Sequence, residues 1–87
     1  MHTIPIIDHV HRHIKGGETI FWTARFVDEK GRPINWPTNA QQQARKEAKA
    51  KSPYRELRSE ANARFVAETL ADAGHSVVIE RAIGLYI

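Results

Sequence analysis

Segments with the pattern of β-strands occupy both ends of this 87-residue chain, and segments with the pattern of helices occupy its middle. The clearest strand is 19–27, where alternate positions place on one face Ile20, Trp22, Ala24 and Phe26. Residues 4–14 and 76–87 also favour strands, because branched apolar residues are frequent in both. This arrangement predicts an α+β domain whose sheet comes from the chain ends and whose helices come from the middle.

Two turns divide the first third of the chain. Residues 15–18 and 28–31 both contain glycine, which accepts the positive φ of tight turns. A short strand at 32–36 is expected to return along the sheet, and Pro33 places it at an edge because proline cannot donate a ladder hydrogen bond. We therefore predict a three-stranded meander, a mainly antiparallel sheet completed by the C-terminal strand, and the element order β-β-β-α-α-β.

The final strand is apolar on both faces, and this allows two interpretations. A strand covered on both sides is typical of the interior of a sheet. Alternatively, residues 83–87 pair with a second copy across a two-fold axis. The sequence therefore leaves open a monomer or a homodimer through the C-terminal strand.

The first helix is predicted at 39–51. Thr38 with Gln41 three residues later forms a capping box, which satisfies the unpaired amide groups of a helix start. A thin apolar stripe is expected from Ala40, Ala44 and Ala48. Arg45 and the neighbouring lysines are expected to project away from that stripe.

The second helix is predicted at 53–73. Ser52 supplies a cap, Pro53 fits the first helical position, and Gly74 suits the C-terminal cap. Its buried stripe is predicted to contain Tyr54, Leu57, Ala61, Phe65, Val66, Leu70 and Ala73. Packing on the sheet is expected chiefly through Phe65 and Leu70.

Composition narrows the class of protein. The length allows one domain, 1–87. Without cysteine, disulfides, thiolate chemistry and cysteine-ligated zinc are excluded, and a cytoplasmic location is the expectation. No stretch has the length of a membrane span or the form of a signal peptide. No catalytic motif, phosphate loop or cofactor motif is present, so neither catalytic residues nor a cofactor are assigned.

Three histidines alternate in the first strand candidate. His9, His11 and His13 share one strand face. Two such histidines can hold one zinc ion if a third ligand comes from elsewhere, and His75 and Asp8 are candidates for that ligand. The alternative is a polar outer face of the sheet with three ordinary histidines. These residues remain weak metal candidates.

Positive charge is concentrated in the helical middle. Residues 45–64 hold seven Lys or Arg against three Glu, while the rest of the chain is close to neutral. Such a surface attracts phosphates or an acidic protein, although helix surfaces are also commonly basic simply because they are solvated. The predicted binding set is Arg45, Lys46, Lys49, Arg55 and Arg58, with Trp36 as an aromatic anchor.

Two resemblances bear on function. Residues 22–32, followed by Thr38 and the alanine-spaced helix, resemble the arm-binding domain of phage integrases over 20–50. That resemblance implies a three-stranded sheet that reads DNA. In general design, a small cysteine-free α+β protein without a catalytic motif resembles phage-encoded inhibitors, including anti-CRISPR proteins. That second resemblance implies inhibition by contact.

Three hypotheses of function follow from these observations. The first is a non-enzymatic binding protein that acts stoichiometrically on a protein or nucleoprotein target. The second is a DNA- or RNA-binding module that uses the same basic residues. The third is a histidine-based metal site or hydrolase.

Overall fold

The computed structural model describes residues 3–11, 16–36 and 38–85. Its elements are β1 (Ile6–His11), β2 (Thr19–Phe26), α1 (Asn39–Lys51), α2 (Glu60–Asp72) and β3 (Val77–Gly84). The α+β class predicted from the sequence is confirmed. The observed order is β-β-α-α-β, one strand fewer than predicted.

The sheet is mixed and not mainly antiparallel as predicted. The strand order is β1-β3-β2, and the central strand β3 is parallel to β1 and antiparallel to β2. The predicted meander is therefore wrong, since β1 and β2 do not pair with each other. Just before β2, the chain bonds to the end of β3: Gly17 N–H donates to Gly84 O at 3.0 Å, and Gly84 N–H donates to Glu18 O at 2.8 Å.

The predicted third strand at 32–36 does not form. Only an isolated bridge joins Val27 to Pro33, and Ile34 N–H donates to Phe26 O at 3.0 Å. Pro33 lacks the N–H that a second rung would need, so the ladder stops there. The preceding turn is as predicted, with Gly31 at φ +78°.

Helix α1 has the predicted bounds and cap. Thr38 Oγ1 accepts a hydrogen bond from Gln41 N–H at 3.2 Å. Helix α2 starts later than predicted, because Ser59 rather than Ser52 is the cap and accepts from Asn62 N–H at 3.1 Å. Residues 52–59 consequently form an irregular segment before the helix.

Ser52 has a different role from the predicted one. Its hydroxyl donates to Asn62 Oδ1 at 2.6 Å and accepts from Tyr54 N–H at 3.2 Å. These bonds hold the irregular segment against α2. The far end of α2 is as predicted, since Gly74 has φ +93° and its N–H donates to Ala71 O.

The core lies between α2 and one face of the sheet. Its largest fully buried side chains are Phe26, Leu70, Ile79, Val66 and Asn62. Each large apolar side chain buried in this way contributes about 1.5–3 kcal/mol.

The irregular segment changes the predicted buried stripe of the second helix. Tyr54 and Leu57 are exposed by 44% and 58%, because they precede the helix instead of lying on its inner face. Phe65 is half-buried and Ala73 is exposed, whereas Leu70 is buried as predicted.

The interior position predicted for the last strand is confirmed. Within Val77–Gly84, residues 79–84 pair with β1 on one edge and residues 77–83 pair with β2 on the other. A homodimer through the C-terminal strand therefore has no unpaired edge to use over those residues, and residues 86–87 lie outside the described part. Within that part, no helix is long and apolar enough to cross a membrane.

The register between β1 and β3 supplies a matched pair for testing the interior position. Ile79 is 1% exposed and lies opposite Ile6, which is 39% exposed. Ile79→Val should lower the free energy of unfolding by about 0.5–1.5 kcal/mol, because it removes a buried methylene. Ile6→Val should cost clearly less. Equal losses in urea titrations of the two variants would contradict a central β3.

Candidate functional site

Two open pockets meet at the outer side of β2. The first, here called the cationic pocket, has a volume of about 260 Å³ and is lined by Thr23, Ala24, Arg45, Lys49, Leu57, Arg58, Asn62, Ala63 and Val66. The second, the aromatic pocket, measures about 530 Å³ and is lined by Phe21, Thr23, Arg25, Asn35, Trp36, Gln42, Arg45 and Glu80. Thr23 and Arg45 belong to both, so the pockets are neighbours.

Arg45 is buried at this junction. The sequence predicted that it projects away from the protein, and that prediction is wrong, since only 3% of the residue is exposed. Helix α1 instead turns Arg45 and Ala48 inward, whereas Ala40 is exposed and Ala44 is half-buried. The guanidinium carbon lies 5.2 Å from the ring centroid of Trp36. Ring and guanidinium therefore shield each other from water.

The Nε of Arg45 is buried without a hydrogen-bond partner. It is inaccessible to solvent and bonds to nothing among the described residues. Glu80 lines the same pocket, but it already accepts from Arg25 Nη1 at 3.1 Å. Burial lowers the pKa of Arg45, the positive charge of Arg25 lowers it further, and Glu80 opposes both effects. The attraction of Glu80 therefore does not offset the desolvation of this positive charge, and no ion pair is formed with Arg45 among the described residues.

The described arginines fall into two groups. Arg25, Arg32, Arg64 and Arg81 each form an ion pair with a carboxylate. In the described part of the chain, no ion pair involves Arg45, Arg55 or Arg58, the arginines of the predicted binding set. The positive charge of that set is therefore not neutralised by adjacent carboxylates.

Lys49 extends the positive charge one helical turn beyond Arg45. Partial burial lowers the pKa of Lys49, and the positive charges of Arg45 and Arg58 lower it further. Both effects agree with the position of Lys49, which lines the cationic pocket together with Arg45 and Arg58. An anion entering this space would relieve their mutual repulsion.

The irregular segment before α2 positions Arg58. The Arg58 carbonyl accepts from Trp22 N–H at 2.8 Å, on the outer edge of β2. Asn62 is 2% exposed and donates through Nδ2 to the carbonyl oxygen of Leu57 at 2.8 Å. This bond fixes the residue immediately before Arg58. The Arg58 guanidinium carbon then lies 5.0 Å from the ring centroid of Phe21.

The structure brings together only part of the predicted binding set. Arg45, Lys49 and Arg58 line the cationic pocket, and Trp36 lines the aromatic pocket. Lys46 and Arg55 are exposed and line neither pocket. Sequence reasoning missed the roles of Phe21, Thr23, Arg25 and Asn62. Of these four residues, only Asn62 could have been found from the sequence, because it is a polar residue among apolar neighbours in a predicted helix.

The histidine candidates lie away from this site. The rings of His9 and His11 are 6.4 Å apart, centroid to centroid, while His13 lies outside the described residues. Asp8 Oδ1 accepts from Arg81 at 2.8 Å, and the His75 ring packs edge-on against Phe26. No group of three or more possible metal ligands occurs among the residues described.

Comparison of the chain with protein-family models, with curated proteins and with solved structures gave no match.

The buried charge of Arg45 and its unpartnered Nε should cost stability. A buried donor without a partner costs about 1–3 kcal/mol, and burial of the charge adds a desolvation cost. Together these costs should exceed the about 2 kcal/mol that a desolvated cation–π contact returns. We expect Arg45→Met to raise the free energy of unfolding measured by urea titration. Arg25→Met is the control: it breaks the Arg25–Glu80 pair and should lower that free energy. A loss of stability in Arg45→Met would contradict the assignment.

Lys49 predicts a pH dependence of stability. Its pKa in the folded protein is below the ordinary value of 10.5, so its positive charge opposes folding at neutral pH. That cost is relieved as the pH rises through the folded-state pKa towards 10.5 and beyond. The stability of the wild type relative to Lys49→Met should therefore increase between pH 8 and pH 11. A difference that stays constant would contradict the confined position of the ammonium group.

Proposed function

We propose that this chain is a non-enzymatic binding protein that acts stoichiometrically, in the cytoplasm, on a protein or nucleoprotein target. The cationic pocket receives an anionic group of that target. The observation that carries the proposal is the buried Arg45, which forms no ion pair among the described residues, has an unpartnered Nε and lines both pockets. Since Arg45 is already desolvated in the unbound protein, an incoming anion gains a strong interaction without that cost being incurred at binding.

The residues of the cationic pocket favour binding over catalysis. Its described lining includes no carboxylate, imidazole or thiol that would form an acid–base pair with Lys49. The lining instead combines three cations with the hydroxyl of Thr23 and the amide of Asn62. This combination suits an oxyanion such as a phosphate or a carboxylate. A phage-encoded inhibitor, such as an anti-CRISPR protein, is the form of this proposal that the resemblance in general design implies.

Direct binding of DNA or RNA is the second candidate function. It is favoured by Phe21 and Trp36, whose rings lie next to the cations and are held by Arg58 and Arg45. Aromatic rings beside positive charge are typical of surfaces that bind single-stranded nucleic acid. This candidate requires an affinity for protein-free nucleic acid that falls steeply as the salt concentration rises.

Charge reversal within α1 tests the proposal, because the helix offers a matched pair of lysines. Lys49 lines the cationic pocket, whereas Lys46 is exposed outside it. Lys49→Glu places a carboxylate beside the bound anion and should weaken target binding about tenfold or more, equivalent to about 1.4 kcal/mol. Lys46→Glu makes the same change in net charge and should have an effect of less than about threefold.

The assay needs a target that the wild-type chain binds with one-to-one stoichiometry in cell extract. The target, once purified, is titrated with the wild type and both variants in a calorimeter. Equal binding by the wild type and Lys49→Glu would remove the cationic pocket from the contact. Equal weakening by Lys49→Glu and Lys46→Glu would show that net charge alone drives association.

A further inference from the structure

We infer that the two pockets together accept one nucleotide unit, with its phosphate in the cationic pocket and its base in the aromatic pocket. This inference rests on the proposed function, because it specifies the anion that the cationic pocket receives. The unit belongs either to a free nucleotide or to a nucleic acid chain, and both present the same chemistry.

The distribution of charge distinguishes the two pockets. In the cationic pocket, Arg45, Lys49 and Arg58 have no carboxylate beside them among the lining residues. In the aromatic pocket, Arg25 is paired with Glu80 at 3.1 Å, so that pair is locally neutral. A ligand that fits both therefore carries its negative charge at one end and is uncharged at the other. A nucleotide has this division between phosphate and base.

The aromatic pocket also contains the groups that recognise a base. Trp36 is 41% exposed although Arg45 lies over its ring, so part of the indole remains open to a flat ligand. Asn35 and Gln42 add two side-chain amides, each with a donor and an acceptor. An amide of this kind can make two hydrogen bonds to the edge of adenine, and a base also stacks favourably on an aromatic ring.

The junction between the pockets fits the linkage between phosphate and base. Arg45 and Thr23 line both pockets, so a ligand that occupies both passes directly beside them. The hydroxyl of Thr23 is a hydrogen-bonding group at this point, whereas Arg45 acts there through its charge because its Nε is inaccessible to solvent. Taken together, the pockets of about 260 and 530 Å³ fall within the range of about 300–1,000 Å³ that is typical of small-molecule sites.

Calorimetric titration of the full chain with matched probes tests the inference. The probes are adenosine 5′-monophosphate, adenosine, inorganic phosphate and a single-stranded ten-residue oligoadenylate. We expect adenosine 5′-monophosphate to bind at least about tenfold more tightly than either adenosine or phosphate, because only the nucleotide fills both pockets. If the oligonucleotide binds more tightly still, with a strong dependence on salt, the natural source is a nucleic acid chain. If the mononucleotide binds as well as the oligonucleotide, the source is a free nucleotide.

Variants separate the two ends of the ligand. Trp36→Ala should reduce the affinity for adenosine 5′-monophosphate about tenfold, to near that for phosphate, and should reduce phosphate binding much less, because Trp36 does not line the cationic pocket. Gln42→Ala, a milder change in the aromatic pocket that does not involve the Arg45–Trp36 contact, should weaken only the nucleotide. Lys49→Gln should weaken phosphate and nucleotide alike, whereas Lys46→Gln should leave both unchanged.

Three results would overturn the inference, and they bear differently on the proposed function. Equal affinities for phosphate and nucleotide would mean that the cationic pocket takes an anion without a base, which leaves the proposed function in place. If no probe binds but target binding depends on Lys49, the anion would be identified as a protein carboxylate. That result would also leave the proposed function in place. No binding of any probe and no dependence of the target on Lys49 would overturn both.

Discussion

The pairing of β3 on both of its edges is the constraint on which the rest of the structure depends. Because β3 occupies the space between β1 and β2, it leaves the opposite edge of β2 facing outward. That outer edge then binds other parts of the chain: Trp22 N–H donates to Arg58 O, and Phe26 O accepts from Ile34 N–H. The two segments that frame the pockets are therefore anchored on β2. A meander would have buried β2 between its neighbours and left no such edge.

Arg45 departs from what stability alone would favour. A core position on α1 would normally hold an apolar residue, and Ala48 is an example at 2% exposure. Arg45 occupies the neighbouring inward position with a charged group that lacks a partner. Proteins retain such unfavourable groups mainly where function uses them, since selection for stability alone removes them. The segment before α2 holds Arg58 by a main-chain bond, which fixes the position of the backbone and leaves the side chain to contact Phe21.

Local features of the sequence predicted local structure well. The bounds of α1 follow from Thr38 and its bond to Gln41, and the end of α2 follows from Gly74. In β2 the predicted apolar face holds for Ala24 and Phe26, which are buried, but an irregular register between Thr19 and Phe21 leaves Ile20 exposed. Strand order was not predictable in the same way. Parallel pairing of β1 with β3 depends on contacts between distant residues, whereas the glycine turn suggested a hairpin on local grounds.

The candidate site was only partly predictable for the same physical reason. Ser52 and Ser59 are both suitable N-cap residues for the second helix. In the structure the Ser52 hydroxyl bonds to the Asn62 side chain, and Ser59 is the N-cap. Charge clustering indicated the basic segment, and three of its members, Arg45, Lys49 and Arg58, do meet in one pocket. The inward orientation of Arg45 depends on packing against Trp36 and the sheet, which no helical periodicity encodes.

The place of β3 in the chain has a consequence for biosynthesis. A ribosome completes β1, β2 and both helices before it reaches Val77, yet the two earlier strands have no partner until β3 emerges. The bond between Asp8 and Arg81 joins positions 73 apart in sequence, a separation typical of slowly closing topologies. The nascent chain must therefore keep two unpaired strands apart from other polypeptides until its sheet can close. Delay at that step would expose strand edges to chaperones or to aggregation before any folded surface exists.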